Sequence, residues 1–183
     1  MAVGRFVEKK GLIYLIESAS LLKERGLNFE VGIIGSGPLY ENLQEEINSR
    51  GLNSEIKIVG ENEGLSNEET LLHFKGAKIF AFPSIKTDEG DVDGVANVLM
   101  EAGIFKVPVV TTDAGGIGEI IVNEVTGLVV DQRDSIALAE KIEYLLHNEE
   151  ESRKLGENLY NKVLEKFDLN TNIIELENLL LQN

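Results

Sequence analysis

Short apolar runs ending in glycine, proline or a hydroxyl residue punctuate the chain: VGIIG, IKIVG, IFAFPS and VPVVTT. Each is followed by a segment whose apolar residues recur at helical spacing. Runs this apolar fit strands covered on both faces. Strands that alternate with helices pair in parallel, because a parallel connection needs a long crossover. AVGRF reads as the end of a first strand and GLVV as a last one. After the first, GLIYLIESASLLKERG puts Leu12, Leu15, Ile16, Ala19 and Leu22 on one helical face and stops at Gly26. PLYENLQEEINSRG predicts a helix opening at Pro38, NEETLLHFKG a short helix, and VANVLMEAGI a helix beginning near Val95. From DSIALAEKIEYLLHN onward the pattern is helical to the end, residues 168–183 included.

These patterns predict a single α/β domain over residues 1–183: a Rossmann-like parallel sheet with helices on both faces and a helical C-terminal tail. Ligands of such sheets bind beyond the carboxyl ends of the strands. The loops GRFVEKKG, GSGP, GENEG, PSIKTDEGDVDG and TTDAGGIG therefore frame the expected site. A formal net charge of −15 argues against a nucleic-acid partner and against direct docking on anionic lipid. An anionic ligand has to meet a few locally placed cations in a broadly negative field. The absence of cysteine removes disulfide scaffolds, thiolate zinc sites and Cys nucleophiles, and two histidines make a metal centre an unsuitable expectation. No apolar run approaches the roughly 20 residues that span a bilayer, and no signal peptide opens the chain. A cytoplasmic setting is expected.

DEGDVDGVANVLMEAG, Asp88 to Gly103, crowds acids around glycines. A calcium loop laid from Glu89 reaches Gly94 correctly but needs a glutamate where Met100 stands. GSGPLY carries only half of a dinucleotide fingerprint, Gly35 and Gly37, with Tyr40 in place of the third glycine. A plain tight turn explains it as well. In GRFVEKKG, by contrast, Arg5 and Lys10 flank a strand-to-helix loop closing on Gly11, where a helix start adds to the attraction for an anion. The alternative is that Lys9 and Lys10 merely solvate a loop tip. Asp93 and Gly94 precede a helix start whose N–H groups at Val95, Ala96 and Asn97 form a second anion site, with Glu101 about two turns further on. Carboxylates accept paired hydrogen bonds from vicinal diols. This spacing suits a ligand with a diphosphate in the middle and a hydroxylated ring at each end. Asp88, Glu89 and Asp91 read as a solvated loop, while His73 and His147 read as structural or surface residues, and Ser84, after Pro83, lies on the binding edge but lacks a base that would make it a nucleophile.

Taken in order, VGRFVEKKG, GSGPLYENL, AKIFAFPS, DGVANVLMEAG, PVVTTDAGGIGEII, GLVV and SIALAEKIEYLL resemble the nucleotide-binding C-terminal domain of retaining glycosyltransferases of family 4, which have the GT-B fold. The resemblance runs from about Val3 to Phe167. It implies a nucleotide-diphosphate sugar as donor substrate, with no cofactor and no metal. By position, Arg5 and Lys10 would bind the diphosphate and share catalysis with Asp93, which would contact the donor sugar. Glu101 would take the ribose hydroxyls, and the amides from Gly94 through Val95, Ala96 and Asn97 would meet the phosphates. Gly4 belongs to the first of these loops, and the turns at Gly35, Gly37 and Gly60 would border the base. The resemblance also implies a separate N-terminal domain that holds a glycan or lipid-linked glycan acceptor. Residues 168–183 would pack towards that domain, through Ile173, Ile174, Leu176 and Leu180. The chain then reads as an excised donor domain, inactive alone, whose parent is cytoplasmic or peripheral at the inner membrane face. Asp93 stands where glutamate is common, Ala96 and Gly118 where proline is frequent, and Lys106 where glycine is usual. A nonenzymatic nucleotide-sugar-binding module and a GT-B sugar-nucleotide epimerase are the alternatives.

Overall fold

The computed structural model describes residues 1–60, 64–94 and 96–166. Among these residues six parallel strands alternate with seven α-helices. The strands are β1 (Ala2–Val3), β2 (Val31–Ile34), β3 (Ile56–Val59), β4 (Phe80–Phe82), β5 (Val109–Thr112) and β6 (Leu128–Val130). The helices are α1 (Leu12–Glu24), α2 (Tyr40–Ser49), α3 (Asn67–Phe74), α4 (Asn97–Ile104), α5 (Ile117–Ile120), α6 (Ser135–His147) and α7 (Glu149–Lys166).

The strands form two three-stranded ladders, β1-β2-β3 and β4-β5-β6. They meet along a seam: the Ala81 N–H donates to Met1 O at 2.8 Å, and the Met1 nitrogen donates to Ile79 O at 2.8 Å. Across the molecule the order is therefore 3-2-1-4-5-6, the arrangement whose reversal point opens a crevice at the carboxyl ends of the strands. Here that point lies between β1 and β4.

The apolar runs in the sequence are two-faced, as burial on both sides requires. Ile79 and Ala81 pack into a core with α1, α2 and α6, whereas Phe80 and Phe82 turn the opposite way, to a second core with α4, α5 and α7. Leu12, Leu15, Ile16, Ala19 and Leu22 are all buried, as their spacing predicts. In the second core Phe74 and Phe80 meet at 5.3 Å between ring centroids, tilted by 54°. Such a pair contributes about 0.5–1.5 kcal/mol beyond area burial.

Two helix starts differ from the sequence expectation. Helix α2 begins at Tyr40 rather than Pro38, because Pro38 and Leu39 form a turn in which Leu39 N–H donates to Phe6 O at 3.1 Å. Helix α4 begins at Asn97, because Ala96 is extended (φ −85°, ψ 108°) and packs on the second core. Val95 and the tail 168–183, with its expected helix, lie outside the described residues. Helix α4 ends at Ile104, and Lys106 follows it in the left-handed region (φ 56°), which explains why glycine suits that position.

Helix α7 crosses the end of α4 at close quarters. A Cβ on Gly156 would lie 2.1 Å from Lys106 O, whereas one on Gly118 of α5 would meet nothing within 4 Å. Alanine gains about 1 kcal/mol of intrinsic helix propensity over glycine, while overpacking typically costs about 1–3 kcal/mol. A clash with a backbone oxygen falls at the upper end of that range. Gly156→Ala is therefore expected to lower the free energy of unfolding in a urea titration by about 1–2 kcal/mol, and Gly118→Ala to leave it unchanged or raise it.

Candidate functional site

The loop after β1 and the loop after β2 run against each other at backbone distance. Phe6 N–H donates to Ser36 O at 2.8 Å, and Gly4 N–H donates to Ile34 O at 3.0 Å. A Cβ on Gly35 would lie 2.0 Å from Gly4 O, and one on Gly37 would lie 2.7 Å from both Phe6 N and Phe6 O. These two glycines, half a fingerprint in the sequence, allow the loops to close on each other. Beyond them opens a cavity of about 610 Å³ lined by Gly4, Arg5, Gly35, Gly37, Tyr40 and Thr70, among others. Gly60 stands at its margin: its carbonyl accepts from Gly64 N–H at 2.7 Å, and Gly64 lines the cavity. Arg5 is exposed and has no carboxylate partner among the described residues.

Lys10 does not line that cavity; it crosses to the loop after β4. Its methylene chain lies over Gly4, where a Cβ would come within 3.2 Å of Lys10 Cε. Its ammonium sits 4.8 Å from the Phe82 ring centroid and donates to Asp93 Oδ2 at 2.9 Å. Both side chains are largely buried, 16% and 11% exposed. Ser84 Oγ is also within hydrogen-bond distance of Asp93 Oδ2 (2.9 Å) and of Lys9 O (2.7 Å). Ile85 N–H donates to Lys9 O at 2.8 Å, and Gly116 N–H reaches Asp93 O at 3.3 Å. Three strand-end loops, after β1, β4 and β5, thus converge on Asp93. Of Arg5 and Lys10, both expected to bind the diphosphate, Arg5 lines the cavity and Lys10 stands outside its lining. Lys10 is already engaged by a carboxylate.

The other acids of the loop are solvated, as the sequence suggests, yet two have cation partners. Asp91 pairs with Lys9 at 3.0 Å and Asp88 with Arg133 at 2.9 Å. Gly94 is exposed beside Asp93. Because α4 starts at Asn97, its first-turn amides are those of Asn97, Val98 and Leu99, and Leu99 N–H already donates to Ala96 O at 2.9 Å. The expected anion-binding start is therefore shifted two residues along the chain. Among the described residues no group of three or more His, Asp or Glu is placed to hold a metal ion, and no helix is long and apolar enough to cross a membrane.

The sequence puts Ser84 on the binding edge but does not foresee its contact with Asp93. Ser84 is fully buried, and its carbonyl accepts from Thr112 Oγ1. The available signal was a hydroxyl residue closing an apolar strand at the ligand edge, since a buried hydroxyl must find a partner. His73 and His147 are exposed, as expected of surface residues.

Glu101 is half-buried on α4, with no side-chain hydrogen bond or ion pair among the described residues. Desolvation raises its carboxyl above the ordinary glutamate value. A raised folded-state pKa means that the folded chain holds the proton longer, so stability is lost as pH rises from the ordinary glutamate range through the raised value. Above that window the full penalty is present. Glu101→Gln is accordingly expected to melt at a higher temperature than the wild type at pH 7, with the gap closing towards pH 4.

The family model described as "Glycosyl transferases group 1" matches residues 1–162. The chain is 33% identical over 143 residues to a putative colanic acid biosynthesis glycosyltransferase, WcaL, of Escherichia coli, covering 78% of this chain and 34% of the relative. It is 29% identical over 177 residues to the capsular polysaccharide biosynthesis glycosyltransferase CapM of Staphylococcus aureus, covering 97% of this chain and 44% of that one. The chain thus spans a third to under half of the length of these relatives. Among solved structures, the C-terminal domain of a glycosyl transferase group 1 family protein (LpcC) from Francisella tularensis superposes with a TM-score of 0.78 at 24% identity, covering 92% of this chain and 85% of that one. Alr3699/HepE from Anabaena, in complex with UDP, superposes with a TM-score of 0.82 at 20% identity, covering all of this chain and 49% of that one. The fold is that of a GT-B C-terminal domain, and the chain belongs to the glycosyl transferases group 1 family.

Proposed function

We propose that this domain binds a nucleotide-diphosphate sugar and forms the donor half of a retaining glycosyltransferase that transfers the sugar to an acceptor hydroxyl. The observation that carries this reading is the Lys10–Asp93 pair at the β1/β4 reversal point, beside the cavity lined by Arg5. Cation and carboxylate stand together where a ligand with a phosphate next to a polyol needs them. Arg5 presents a fork to the diphosphate oxygens from the cavity lining, and Lys10, beside Asp93, adds a point charge. As the glycosidic bond breaks, negative charge grows on the departing diphosphate. These cations and the first-turn amides of α4 stabilise that charge without a metal ion. Asp93 accepts hydrogen bonds from the donor sugar, and Glu101 from the ribose hydroxyls.

Relatives named for capsular polysaccharide and colanic acid biosynthesis support a glycan or lipid-linked glycan acceptor. A solved neighbour with UDP bound supports the nucleotide-diphosphate donor. Since the chain covers under half of those relatives, the acceptor is assigned to a second domain outside these residues, and the donor domain alone is expected to bind without transferring.

Isothermal titration calorimetry with UDP, GDP and ADP tests the reading. One of the three binds, and Arg5→Ala weakens it by about tenfold or more, the order expected for hydrogen bonds to a charged group. Glu101→Gln weakens the same nucleotide although it stabilises the fold. Silence from all three at millimolar concentration overturns the proposal.

A further inference from the structure

The two oxygens of Asp93 are not equivalent. Oδ2 receives the Lys10 ammonium at 2.9 Å and faces Ser84 Oγ at 2.9 Å, so its acceptor capacity is taken up. Among the described residues Oδ1 has only the Lys9 ammonium, 4.0 Å away, beyond hydrogen-bond length. A carboxylate held by one oxygen presents the other in a fixed direction. The clamp is held firmly because Ser84 and Thr112 are buried and Asp93 and Lys10 largely so. Ser84 has no exposed surface and lies directly after β4 and Pro83. Its carbonyl is held by Thr112 Oγ1 at the end of β5, itself only 2% exposed. The one hydroxyl proton of Ser84 has two acceptors in reach, Lys9 O and Asp93 Oδ2, and goes to the charged Oδ2, because Lys9 O already accepts from Ile85 N–H at 2.8 Å.

We infer that Ser84 is a positioning residue for sugar recognition: by clamping Asp93 Oδ2 it leaves Oδ1 as the oriented acceptor for a hydroxyl of the donor sugar. This rests on the donor-site reading above and extends it to a residue that does not itself touch the ligand. The chain Thr112–Ser84–Asp93–Lys10 transmits the geometry of the β4–β5 sheet edge to the sugar position. Bare nucleoside diphosphate has no sugar to present to Oδ1, so its affinity is independent of the clamp.

The test compares each nucleoside diphosphate with its sugar conjugate (UDP with UDP-glucose, GDP with GDP-mannose, ADP with ADP-glucose) by calorimetry on the full 183-residue chain. In Ser84→Ala the ratio of sugar-nucleotide to nucleotide affinity falls by about tenfold, as for one hydrogen bond to a charged group, while the bare nucleotide binds as before. In an Asp93→Asn background the same substitution produces no further change in the ratio, because both act through one carboxylate. Ser84→Cys, close in size and a weaker donor, falls between, and keeps the test available if Ser84→Ala melts below the working temperature. An unchanged ratio in both variants, with the wild type binding normally, overturns the role of Ser84 and leaves the donor-site reading standing. A uniform loss of both ligands also overturns it, since that marks a purely structural serine. Silence of the wild type towards all six probes overturns both.

Discussion

A largely buried ion pair ties the loops of the two halves of the sheet together at the point where its strand order reverses. Lys10 and Asp93 are 83 residues apart in sequence and 2.9 Å apart in space. Taking both charges largely out of water is costly, and the attraction between them offsets that cost only when remaining bonding capacity is used. Here Phe82 backs the ammonium, and Ser84 completes the carboxylate. The pair's value lies less in stability than in position: it fixes the β1 loop against the β4 loop at the crevice mouth.

The surroundings follow from what that pair requires. Lys10 reaches Asp93 only by lying across Gly4, and the loop carrying Gly4 is held by backbone contact with the loop after β2. Any side chain on Gly4 would lift the lysine stem, and one on Gly35 would push the β1 loop away. On the opposite face, α4 carries Glu101 and is anchored by α7 through another close backbone approach, at Gly156. Both cores therefore serve the same edge. Glu101 is half-buried without a hydrogen-bond or ion-pair partner among the described residues, a local cost of burial.

Much of the fold was legible because it rests on local patterns. The six apolar runs became the six strands, and the face of α1 was named residue by residue, since spacing alone decides which side chains share a helical face. Boundaries were less legible. Pro38 and Val95 both looked like helix starts, yet the turn at Pro38 is set by a bond to Phe6, and Ala96 by packing on the second core. Both are contacts with residues distant in sequence. The candidate site was legible as an edge and a set of motifs, but not as a set of contacts. Asp88 and Asp91 looked like free charges until Arg133 and Lys9 were seen beside them.

The amino-acid sequence by itself determined the alternation of strand and helix, the faces that are buried, and the loops that gather at the ligand edge. Periodicity and glycine placement are properties of neighbouring residues. Only the tertiary structure decided which polar groups meet. It put Arg5 on the cavity and Lys10 outside its lining, paired Lys10 with Asp93, and buried Ser84 against that acid. The reason is that strand order, 3-2-1-4-5-6, makes β1 and β4 neighbours although two strands and three helices separate them in the chain. Side-chain pairing across that seam depends on distances between backbones that no local pattern encodes.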